Sequence, residues 1–305
     1  MKWEGNRESD NVEDRRDDGG GSGGGGIGGR HIGIGSIVIA LAASYFLGVN
    51  PMTVLGFLSG GDGASAPTVS QAPPRQPPAN DQLGRFVQTV LGSTEDVWTD
   101  IFAKSNATYK KPKLDLFRDS YPTACGQGET AMGPFYCPSD QKVYIDLAFY
   151  QTLKNQLGAP GEFAEAYVIA HEVGHHVQNL LGISGKVDAM RQRVSKTEYN
   201  ALSVRVELQA DCFAGIWGHY AQGSFKLDQN DIASAMNAAA KIGDDALQRA
   251  ATGRVVPESF THGTSAQRQH WFDTGFQNGS VKSCDTSPRA RPKYRRAPFL
   301  AWRAG

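Results

Sequence analysis

The stretch GEFAEAYVIAHEVGHHVQNLLG, residues 161–182, constrains the fold more than any other part of the chain. Phe163, Ala166, Tyr167, Ala170, Val173, Gly174, Val177, Leu180 and Leu181 recur at helical spacing on one continuous apolar face, and Gly182 supplies the stop. A helix with such a face has to be buried against other elements. The same helix nevertheless carries His171, Glu172, His175 and His176, which a purely structural helix has no use for.

Positions four apart on a helix are separated by about 40° around the axis and about 6 Å along it. His171 and His175 therefore point the same way and can grip one ion, whereas His176 is turned about 140° from His171 and belongs behind the site or on the surface. Glu172, one step on, stands beside the ion. This H-E-x-x-H spacing lets two imidazoles hold Zn²⁺ while the carboxylate takes a proton from metal-bound water. The structural alternative is a hydrogen-bonded pair of core histidines.

Catalytic zinc keeps three protein ligands and an open position. The spacing that would place the third ligand six residues after His175 fails, because Gln178 and Leu181 occupy the required places. His219, His262 and His270 follow downstream. The preferred third ligand is Glu207 in VELQADCFAG, an acid in an apolar helical setting where an uncompensated carboxylate is costly. A salt bridge to Arg205 is the plainer use. Asp211, one turn on, can orient a ligand histidine through its other ring nitrogen. Asp188 and Glu198 fall in a polar connection where solvation accounts for them. His262, in THGTSAQR, is the candidate to stabilise an oxyanion; the alternative is that His262, Ser265 and Arg268 cap and pin the last helix.

Elsewhere, residues 82–105 read as two helices broken at Gly92-Ser93. KLDLFRDSYPTACG reads as a strand and FYCPSDQKVYID as a hairpin whose strand KVYID could pair with an extended peptide. Residues 197–223 form a second long helix, DQNDIASAMNAAAKIG a third, and HWFDTGFQNG a short last one. The class is α+β, a mostly helical body with a small antiparallel sheet. The four cysteines include no C-x-x-C. Three pairings are possible; Cys125–Cys137 would close a Gly/Pro-rich loop, leaving Cys212–Cys284 to clip the C-terminal segment to a helix.

Residues 1–30, charged and then glycine-rich, are expected to be unordered. From His31 to Gly61 there is no charged residue, and residues 31–58 are long enough to span a bilayer at about 20 residues per crossing. A cleaved signal peptide ending at Ala64-Ser65-Ala66 is the alternative, disfavoured by the length of the run and by Pro67. Five Lys/Arg precede the run and Arg75 alone follows closely, which keeps the amino terminus cytoplasmic and exports the rest. Residues 59–80 read as a Gly/Ser/Pro linker, 81–285 as the globular domain and 286–305 as a basic, unordered tail. Equal totals of 31 basic and 31 acidic residues leave no nucleic-acid footprint on the domain.

HEVGHHVQ, ELQADCFAG, HGTSAQRQHWF and GPFYCPSDQKVYID together resemble the neutral zinc metallopeptidase family of bacterial membrane-anchored proteins. The resemblance covers residues 81–285 with the glycine-rich start and the apolar run. It implies a zincin-type fold of the glutamate-ligand kind, with His171, His175 and Glu207 on zinc and Glu172 catalytic. The expected activity is hydrolysis of a polypeptide substrate at the membrane; the competing class is a non-catalytic, zinc-stabilised binding module.

Overall fold

The computed structural model describes residues 1–18, 73, 75–129 and 133–287. In chain order its elements are β1 (Val12–Asp14), α1 (Gln82–Ala103), β2 (Lys113–Phe117), β3 (Ser120–Thr123), β4 (Gly126–Glu129), β5 (Phe135–Cys137), β6 (Lys142–Asp146) and α2 (Ala148–Asn155). Then come α3 (Glu162–Leu180), α4 (Ile183–Asp188), α5 (Lys196–Phe225), α6 (Gln229–Lys241), α7 (Asp244–Thr252) and α8 (Ser265–Asn278). The α+β class holds. Helix α3 lies at the centre, packed by α5, α6 and α1, with the sheet against its side. Phe163, Tyr167, Val173 and Val177 on its apolar face are fully buried. Helix α5 begins in a capping box, Ser195 accepting from the Glu198 backbone while the Glu198 side chain accepts from Ser195.

The sheet is mixed where an antiparallel one was expected. Its order is β1-β2-β6-β5, with β1, β2 and β6 parallel and only β5 antiparallel to β6; β3 and β4 form a separate hairpin. The strand KVYID (β6) is therefore interior, and among the described residues the edge strand beside α3 is β5. Residues 82–103 form one uninterrupted helix, not two. Gly92 does not break it; a Cβ there would stand 2.8 Å from the Arg7 carbonyl oxygen, so the glycine admits another piece of backbone. Helix α7 was not anticipated. The disulfides Cys125–Cys137 and Cys212–Cys284 form as expected.

The largest departure concerns the charged start of the chain. Residues 1–18 are packed into the domain instead of unordered. Trp3 and Val12 are buried; the Trp3 ring meets Phe86 edge to face, and its Nε1 donates to Glu162 at 3.1 Å. The arm's charges are paired, Arg7 with Glu95 and Asp96, Arg15 with Glu13 and Asp18, Arg16 with Asp14 and Asp81. A charged composition argues for disorder only when partners are lacking; here Glu95, Asp96 and Asp81 supply them from far along the chain, and Glu13, Asp14 and Asp18 from within the arm. The apolar run of residues 31–58 and the tail beyond 287 lie outside the described residues. Among those described, no helix is long and apolar enough to cross a membrane.

Candidate metal centre

Helices α3 and α5 touch backbone to backbone at Gly174 and Ala210. A Cβ on Gly174 would stand 3.0 Å from the Ala210 carbonyl oxygen and 3.1 Å from its Cα, so a larger residue would part the helices. This crossing sets the two histidines of α3 against Glu207 of α5. His171 Nε2 lies 3.2 Å from Glu207 Oε2 and 3.2 Å from His175 Nε2, and His175 Nε2 lies 3.5 Å from Glu207 Oε1. Tetrahedral zinc with N and O ligands at about 2.0–2.2 Å holds its ligand atoms about 3.3 Å apart. The three donors fit that ion.

Hydrogen bonds behind the site fix what those donors present. His171 Nδ1 is 2.9 Å from Asp211 Oδ1, a carboxylate that can only accept from it. His175 Nδ1 is 2.9 Å from Gln178 Oε1. The Gln178 amide is itself fixed, because its Nε2 donates to the Val206 carbonyl at 2.7 Å and to Gln209 Oε1 at 3.1 Å. Both imidazoles thus carry a proton on Nδ1 and turn an Nε2 lone pair toward a carboxylate. Three acceptors this close need a positive charge among them, a proton or a metal ion. The electrostatics of the cluster act in the same sense. Burial works against a charged His171, yet the Asp211 carboxylate outweighs it and lifts the metal-free imidazole to about 10. Burial would raise Glu207, but His175 and His171 hold it well below the usual carboxylate range.

Asp211 is fully buried and serves more than His171. Arg268 of α8 donates to it from Nε and Nη2 at 2.9 Å each, and Nη2 also donates to the Tyr167 hydroxyl at 3.2 Å. Tyr167 in turn donates to Asp211. Arg268 does not pin the last helix by its cap, which Thr264 provides; it neutralises the carboxylate that orients His171. Replacing Arg268 by Leu leaves Asp211 buried with only His171 and the Tyr167 hydroxyl as partners and is expected to destabilise the fold by about 3–5 kcal/mol, read by denaturant unfolding.

Glu172 is buried next to this cluster, and burial pushes its carboxyl above the ordinary value against the pull of His171 and His175. His262 sits on the turn before α8. Asp244 organises that turn, its Oδ2 accepting the backbone N–H of Thr261, His262 and Gly263 at 2.8, 2.6 and 3.0 Å. Its Oδ1 lies 3.2 Å from His262 Nδ1. Gly263 rests against Val204 and Leu208 of α5, one residue beyond Glu207. The His262 side chain is half exposed at the rim, and its charge acts on Glu207.

His176 is fully buried, not on the surface. Its Nε2 donates to the Lys110 carbonyl at 2.6 Å and its Nδ1 accepts from Tyr136 of β5 at 3.0 Å, and burial drives its pKa down to about 4. It ties the edge strand to the metal-site helix. His219 and His270 take no part; the His219 ring bonds the Phe276 carbonyl instead. The sequence named Gln178, Tyr167 and Arg268 in other roles and did not single out Asp244. The signal for Gln178 was its spacing of three from His175.

The family model described as "Putative neutral zinc metallopeptidase" matches residues 1–287. Uncharacterized protein YpfJ of Escherichia coli (strain K12) is 49% identical over 291 residues, covering 94% of this chain and 98% of that one. Uncharacterized protein Rv2575 of Mycobacterium tuberculosis (strain ATCC 25618 / H37Rv) is 42% identical over 213 residues, 66% of this chain and 71% of its own length. No solved structure matches the chain. With the match running through the packed arm as well as the metal-site helices, the chain belongs to the neutral zinc metallopeptidase family.

Proposed function

We propose that this protein is a zinc-dependent peptidase in which His171, His175 and Glu207 hold the ion and Glu172 is the general base. The observation that carries the reading is the convergence of three lone-pair donors at zinc spacing with a buried carboxylate alongside. Zinc held by these three residues would supply a Lewis acid and lower the pKa of water at the site to about 7. Glu172 takes the proton of the attacking water and returns it to the leaving nitrogen, a role suited to a carboxyl held above its usual range. Asp211 keeps His171 in the tautomer that ligates, and Gln178 does the same for His175. His262, oriented through Nδ1 by Asp244, offers its Nε2–H to the oxyanion that develops on the attacked carbonyl.

The substrate class is extended polypeptide. The edge strand β5, held against α3 through Tyr136, supports pairing with such a chain. The uncharged run of residues 31–58 and the two disulfides support a protein held at the membrane with this domain on its oxidising side.

The full-length protein should hydrolyse an unstructured protein, lose that activity to a chelator and regain it with zinc. Glu172→Gln should keep zinc and fold while losing at least about a hundredfold in rate. Near-normal turnover by that variant would remove Glu172 from the reaction, and zinc-loaded protein without hydrolysis of any unstructured chain would leave a binding module.

A further inference from the structure

The arm and the metal domain are not joined by a surface contact that could be dispensed with. Strand β1 is the first strand of the sheet, pairing Val12 with Leu114, Glu13 with Asp115 and Asp14 with Leu116. The Asn11 carbonyl accepts from the Leu114 N–H at 2.9 Å, and the Arg15 N–H donates to the Leu116 carbonyl at 2.8 Å. Glu95, fully buried in α1, receives Ser9 Oγ at 2.6 Å, Asn11 Nδ2 at 2.7 Å and Arg7 Nη2 at 2.8 Å. Where the described chain resumes, it returns to the same place. The Arg75 carbonyl accepts from the Asp14 N–H at 2.6 Å, and the Arg75 guanidinium meets Asp18 at 3.1 Å.

We infer that residues 1–18 lie in the same compartment as the metal centre, so that the chain between Asp18 and Arg75 leaves and returns on one side of the bilayer. A single crossing by residues 31–58 would put the membrane between β1 and β2, which share a hydrogen-bonded ladder. Two crossings take about 40 apolar residues, more than the uncharged run between His31 and Gly61 contains. The compartment statement needs only the packed arm; any lipid contact rests on the membrane reading given above.

All four cysteines are paired, so an introduced cysteine is the only free thiol. Glu4→Cys on the exposed arm and Gln151→Cys on the exposed surface of α2 are compared in the full chain, using a membrane-impermeant maleimide on intact cells and after lysis. The expected result is equal labelling of both in intact cells. Labelling of both only after lysis also upholds the shared compartment while overturning export of the domain. Gln151→Cys labelled outside with Glu4→Cys protected until lysis would overturn the inference. Alkaline extraction of the same membranes separates the lipid contact: release of the wild-type chain removes the membrane reading and leaves the shared compartment standing.

Discussion

Glu207→Ala is expected to leave the protein folded, with its helical content intact, and nearly free of zinc at neutral pH. Two imidazole Nε2 atoms 3.2 Å apart remain after the change, but the carboxylate that closes the triangle is gone. The loss should exceed the about 10- to 100-fold typical of removing a group behind a ligand, which is the effect expected of Asp211→Asn. Glu198→Ala is the control. That carboxylate is exposed in the capping box of the same helix, so its removal should loosen the helix start slightly and cost no zinc. Occupancy should also climb with pH, because the metal displaces the Nε2 proton of a His171 imidazolium that the Asp211 and Glu207 carboxylates stabilise up to about 10. Metal analysis after dialysis reads all three variants. Full zinc in Glu207→Ala would end its role as a ligand and leave the convergence of donors unexplained.

The parts of this site that a sequence shows are those set by local periodicity. His171 and His175 share a face because helical geometry makes positions four apart coincide, and Glu207 with Asp211 repeats that spacing on the partner helix. Their meeting depends on Gly174 lying against Ala210, a contact between helices that no spacing within either one discloses. Gln178 was noted only as breaking another ligand pattern; its function follows from the Val206 carbonyl, which orients the amide from α5. Parallel pairing of β1, β2 and β6 was likewise hidden, because strands distant in sequence carry no turn signal between them. The arm was misread for a related reason. Averaged over residues 1–30 its composition is that of a solvated segment, and only Trp3 and Val12 stand out. Its acids and bases find partners in Glu95, Asp81, Lys113 and Lys142, far along the chain.

That integration predicts two opposite outcomes for two deletions. A chain beginning at Asp81, where composition alone places the domain boundary, is expected not to fold into a stable, zinc-binding form. Removing the arm strips Ser9, Asn11 and Arg7 from Glu95 and leaves Lys111, 3.5 Å away, as its charged partner. Leaving a buried carboxylate short of its hydrogen-bond donors costs about 1–3 kcal/mol, a large share of the about 5–15 kcal/mol by which domains are stable. The β2 edge, with Leu114 and Leu116, would be opened as well. Joining Asp18 to Arg75 through a short Gly/Ser linker in place of residues 19–74 should have the contrary effect. Their side chains meet at 3.1 Å and the Arg75 carbonyl accepts from the Asp14 N–H, so a short linker closes the gap and shortening the connection lowers its closure entropy. The joined chain should be soluble, unfold cooperatively, bind zinc and hydrolyse an unstructured protein. Thermal unfolding and metal content compare the pair directly. A cooperative, zinc-loaded fragment starting at Asp81 would show the arm to be dispensable, and failure of the joined chain to fold would show that residues 19–74 carry part of the fold themselves.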